Sequence, residues 1–101
     1  MRKEFDIAIS FNGKQRKPLI IDSHFRKKHP DVTYEIIVDL VTSLDGGFFE
    51  PQQVVDGWSY FAIEPVFLAN IPYRVVLVTS DDQKYLGVIN AFRVSRKKYE
   101  T

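Results

Sequence analysis

Apolar and polar residues alternate from Phe5 to Phe11, with Phe5, Ile7, Ile9 and Phe11 on one face. That two-residue period predicts a half-buried strand, and the "NGK" at 12–14 signals a turn after it. Residues 18–22, "PLIID", read as a short partner strand, with Pro18 confined to its first position because it has no N–H to give a ladder. Residues 23–28, "SHFRKK", suit a short helix capped by Asp22 or Ser23. It must stop near Lys28, because the residue before Pro30 is pushed out of the helical region.

Between 32 and 44 the period changes to that of a helix. Ile36, Ile37, Leu40, Val41 and Leu44 form one stripe, Asp31 or Thr33 can cap the start, and Gly46 with Gly47 supplies the stop. A connection follows that holds a bulged strand piece. Three strand-like runs close the chain, at 58–66, 72–80 and 84–94, and "SDDQ" joins the last two as an antiparallel hairpin. Val75 to Val78 are apolar on both faces, as in an interior strand, while Pro65 belongs near an edge or strand end. Residues 95–101 read as a solvated tail. The expected architecture is one α+β domain over residues 1–101: an N-terminal strand or hairpin and two helices packed on a C-terminal antiparallel sheet of three to four strands.

Composition narrows the classes little: 45% of the residues are apolar and 27% charged. No run approaches the roughly 18 uninterrupted apolar residues of a membrane span, so no membrane partner is expected. The absence of cysteine removes disulfides, thiolate nucleophiles and cysteine-based zinc sites, and fits the cytoplasm. Charge is more telling. Residues 1–30 carry eight Lys/Arg against three acids, residues 31–72 carry seven acids and no Lys or Arg, and residues 73–101 carry six cations against three acids. If the two ends meet in space, one side is basic and suits a polyanion, and the other is acidic. The alternative is that the blocks interleave and the field averages out.

Residues 23–31, "SHFRKKHPD", hold both histidines and three cations. His24 and Lys28 share a helix face, whereas His29 lies roughly 140° around the axis from His24. With no third His or any Cys, a metal site is not expected. A histidine beside cations can move a proton in RNA cleavage; the plainer reading is a polar helix end with solvated lysines. Trp58, Tyr60 and Phe61 can stack bases or can be core. On the closing strands Tyr73 and Arg74 point to opposite faces, Arg93 is expected to share a face with Ile89 and Ala91, and Asn90 to share the other with Val88 and Phe92.

The order "SHFRKKHPDVTYEIIVDLV", then "YFAI", "IPYRVVLV" and "YLGVINAFRV", resembles the nuclease superfamily named for barnase, EndoU, colicin and RelE, in particular RelE-like toxins and their phage and mobile-element relatives. The likeness covers about residues 22–95, with "HFRKKHPDV" and "VINAFRV" its best parts. It implies a metal-independent endoribonuclease without a cofactor, with RNA as substrate and, in a toxin setting, an acidic antitoxin or inhibitor protein as partner. Carried over by position, His24 or His29 would shuttle the proton, and Lys28, Arg74 and Arg93 would grip phosphate. Asn90 stands where such relatives often hold a hydroxyl; an amide can bond a phosphate but relays a proton poorly, so the resemblance also allows an inactive relative that binds nucleic acid. A module that binds protein through its acidic middle, around Asp39 or Asp56, is the other reading.

Overall fold

The computed structural model describes residues 2–99. Its strands are β1 (Arg2–Phe5), β2 (Ile9–Phe11), β3 (Lys14–Arg16), β4 (Leu19–Asp22), β5 (Gln53–Val55), β6 (Trp58–Leu68), β7 (Ile71–Ser80) and β8 (Leu86–Arg93), and its helices are α1 (Phe25–Lys28) and α2 (Tyr34–Thr42). Six strands form a mixed sheet in the order β1-β4-β8-β7-β6-β5, and β2 and β3 make a separate two-stranded sheet. This corrects the expected α+β layout of two helices on three or four antiparallel strands. The sheet is twice as wide as its C-terminal meander, because β4 pairs in parallel with β8 and carries β1 with it, while β5 adds the other edge. The helices are correspondingly minor: α1 is a single turn.

The N-terminal alternation is real but belongs to two strands. A tight turn, with the Ile7 N–H donating to the Phe5 carbonyl at 2.8 Å, separates β1 from β2. Phe5 therefore joins the large sheet, and Ile9 and Phe11 join the small one. The expected turn forms at Asn12-Gly13, with φ of 53° and 77°, but it leads into β3, whereas residues 19–22 pair with β1. Positive φ at both central residues gives a two-residue turn whose twist matches paired strands. The middle connection likewise contains an ordered strand, β5, joined to β6 through Asp56-Gly57.

One face of the large sheet carries the core. Leu19 and Ile21 of β4, Leu86, Val88 and Ala91 of β8, Val75 and Leu77 of β7, and Phe61 of β6 are all buried. Against them lie Ile37, Leu40 and Val41 of α2, Phe25 of α1, and Ile9 and Phe11 of the small sheet. Phe11 meets Phe61 edge-on at 4.9 Å between ring centroids and stacks on Phe49 at 5.3 Å. The helix starts where expected, because the Thr33 side chain accepts the Ile36 N–H at 3.2 Å. Gly46 follows it with φ of 85°. No helix among the described residues is long and apolar enough to cross a membrane.

Candidate functional site

The parallel pairing of β4 with β8 ends near Ile21 and Val88, yet β8 runs on to Arg93. The chain fills the vacated edge with α1 and the segment after it. Its first turn is fastened by the Asp22 carboxylate, which accepts the His24 backbone N–H at 2.9 Å. The turn cannot run past His29, whose φ of −132° and ψ of 68° lie outside the helical region. His29 is thereby delivered to the end of β8, where its ring stacks on Phe92 at 4.9 Å and 19° between planes. Two residues later Asp31 pairs with Arg93 at 3.2 Å. Residues 29–31 thus straddle the end of the strand, touching consecutive side chains that point to opposite faces.

The face that Phe92 occupies is the one opposite the core. A β-bulge decides its membership: Val76 pairs with Asn90 but Leu77 pairs with Val88, so Ile89 is an extra residue. Val88 consequently shares the buried face with Ala91 and Arg93, and Asn90 shares the open face with Phe92. The expectation that Asn90 and Val88 lie on one face is corrected by that single insertion. Arg74 stands directly opposite Phe92 in the register, so His29, Phe92, Arg74 and Asn90 come together. Arg93, on the other face and paired with Asp31, stays apart. His24, just before α1, and Lys28, at its end, are exposed, and neither side chain forms a hydrogen bond or ion pair among the described residues.

Arg74 is not idle. Its Nη1 donates to Glu64 Oε1 at 3.2 Å, while Glu64 Oε2 accepts from Lys98 Nζ at 2.8 Å and from the Tyr99 hydroxyl. The Lys98 ammonium and Tyr99 hydroxyl, then the Arg74 guanidinium, hold the Glu64 carboxyl at about 2, well below its ordinary 4.5. The same carboxylate raises Lys98, and burial with the Glu64 hydrogen bond raises Tyr99. Residues Arg96–Tyr99 form a 3-10 turn that docks here, Tyr99 meeting Phe67 edge-on at 6.2 Å. The expected solvated tail is exposed at Arg96, Lys97 and Lys98, is anchored at Tyr99, and extends at Glu100 and Thr101 outside the described residues. Sequence reasoning missed Glu64 and Phe92; the signal for Glu64 was its place as a lone acid inside the apolar run "FAIEPV".

The rest of the open face is aromatic and aliphatic. Trp58, Tyr60, Val76, Val78 and Ile20 are half-buried there, and Trp58 lies 6.4 Å from Tyr85. Of the three aromatics considered as base-stacking groups, Phe61 is core and Trp58 and Tyr60 are on this face. Strand order sets the N-terminal β1 and β4 beside β8, so the two basic blocks adjoin, but the blocks also interleave, because Glu64 and Asp31 of the acidic block pair with Arg74, Lys98 and Arg93 of the C-terminal one. Among the described residues no cluster of three or more His, Asp or Glu side chains is placed to hold a metal ion. Comparison with family models, curated proteins and solved structures finds no match to this chain.

Proposed function

We propose that the chain is a small, metal-independent endoribonuclease of toxin or mobile-element type, working in the cytoplasm on RNA laid across the open face of its sheet, with His29 as the proton-shuttling group. The observation that carries this reading is the placement of the His29 ring on Phe92, opposite Arg74 and on the face that holds Asn90. His29 is half-buried, and the stack on Phe92 fixes its ring at the end of β8. In the reaction, the 2′-oxygen of a ribose attacks its own phosphorus and the P–O5′ bond breaks. The 2′-hydroxyl proton is taken up by a base, and the leaving 5′-oxygen receives one, giving a 2′,3′-cyclic phosphate and a 5′-hydroxyl. A neutral imidazole can take the first proton and an imidazolium can give the second. Arg74 would stabilise the charge growing on the phosphate oxygens once RNA displaces Glu64 from it, and the Asn90 amide can donate to the same group. An acidic antitoxin or inhibitor protein is the partner expected to cover the basic side.

A second reading is favoured by the state of Arg74 and Asn90 themselves. Glu64 already holds Arg74, and the Asn90 side-chain oxygen accepts the Ala91 N–H at 3.0 Å. A site so occupied suits a relative that binds RNA without cutting it. Incubating single-stranded RNA with the protein in EDTA separates the two. The first reading predicts cyclic-phosphate ends, lost by about a hundredfold or more in His29→Ala and retained in His24→Ala. Salt-sensitive binding without cleavage selects the second, and neither activity removes both.

A further inference from the structure

At the opposite end of β8, the end of β3 and the turn at 81–84 enclose an open concavity of about 670 Å³. Lys14, Arg16, Lys17 and Lys84 line it, with Asp81 and Asp82. Lys17 is engaged by Asp6 at 3.0 Å. Arg16 is the unusual member. It is buried, at 7% exposure, and among the described residues no carboxylate stands within ion-pair distance of it. Its Nη1 donates to the Ser80 and Gln83 carbonyls at 2.9 and 2.7 Å, and its Nε is buried without a partner. Two carbonyl dipoles satisfy part of the hydrogen-bonding capacity of a guanidinium but do not cancel its charge. A buried cation without an ion-pair partner, in a concavity lined by three lysines against two aspartates, leaves a net positive potential there.

We propose that this concavity is an anion site that takes a phosphate group, with the charge of Arg16 at its floor and Lys14 and Lys84 as the groups that touch the ligand. A purely structural role for Arg16, clasping the β7–β8 turn, accounts for its two carbonyl bonds. It gives no function to the two lysines, which are exposed and form no ion pair among the described residues. Asp81 and Asp82 oppose an anion, so their removal should strengthen the site. The phosphate can be a free ion or part of an RNA backbone, and Lys84 lies about 25 Å from Phe92 by strand rise. The site stands whether or not His29 cleaves RNA.

The test is an NMR titration of the full chain with inorganic phosphate, following the Arg16 Nε–H signal and the amides of Lys14 and Lys84. Saturable shifts are expected. Lys14→Ala combined with Lys84→Ala should weaken binding about tenfold or more at unchanged Tm, and Asp81→Asn with Asp82→Asn should tighten it. Absence of saturable shifts, equal affinity in the double lysine variant, or weaker binding in the double asparagine variant would each overturn the proposal. A parallel titration with a short single-stranded oligonucleotide assigns the source: competition with phosphate identifies an RNA backbone site, and its absence identifies a free-phosphate site. Because the phosphate arm needs no RNA, it succeeds or fails independently of the cleavage assay.

Discussion

The two faces of the six-stranded sheet are built on opposite plans. On one, Leu19, Ile21, Val75, Leu77, Leu86 and Ala91 are each 0% exposed and sealed by α2, α1 and the small sheet. On the other, their chain neighbours Ile20, Val76, Val78 and Phe92 are half-exposed, with the C-terminal turn docked at Glu64 and the His29 ring stacked on Phe92. The sealed face holds the fold through apolar burial. The open face holds itself through one polar cluster and leaves a histidine, an amide and a row of aromatics facing outward. The core and the candidate site are thereby placed on different sides of the same strands, and an alternating strand makes that possible because adjacent residues report to different environments.

Substitutions divide along the same line. Leu40→Ala, in the sealed layer, should cost about 2–5 kcal/mol in chemical denaturation, since it removes buried methyl groups and leaves a cavity; a loss below about 1 kcal/mol would mean that the layer is loosely packed. On the open face the largest effect is pH-dependent. Glu64 has a folded value of about 2 against an ordinary 4.5, so its contribution is fully present above 4.5 and is lost as pH falls toward 2. Thermal melts should show that acid limb in the native chain and a flatter profile in Glu64→Gln; identical profiles would show that the cluster contributes nothing. Smallest of all should be Val76→Thr, which changes polarity on the open face while keeping β-branched shape. A shift within about 0.5 kcal/mol is expected, and a loss approaching that of Leu40→Ala would mean that the face is covered in the working protein.

What could be read from the chain follows the same physical divide. The β6–β8 meander and α2 rest on long local periodicities and on caps adjacent in sequence, so Thr33 and the "SDDQ" turn were legible. The parallel pairing of β4 with β8 joins residues more than sixty apart and leaves no local trace. β3 is polar enough, as Lys14, Gln15 and Arg16, to look like a turn, and the unbroken alternation of Phe5, Ile7, Ile9 and Phe11 conceals the change of sheet between them. At the candidate site, the histidines and the strand cations were visible as residue types. Their grouping was not, because Asn90 and Phe92 reach the open face through the bulge at Ile89, and His29 reaches Phe92 only because α1 ends one turn after it begins. Lys28 shares a helix face with His24 on paper, but a single exposed turn gives that pairing nothing to act on.

The most direct test of whether the open face is the working face is an NMR map of the protein with a short RNA made uncleavable by a single 2′-deoxy sugar. Perturbations gathered on His29, Arg74, Asn90 and Phe92, extending toward Tyr60 and Val78, are the predicted result. Perturbations confined to Glu35 and Asp39 on α2, or spread evenly over both sides of the sheet, would contradict the account.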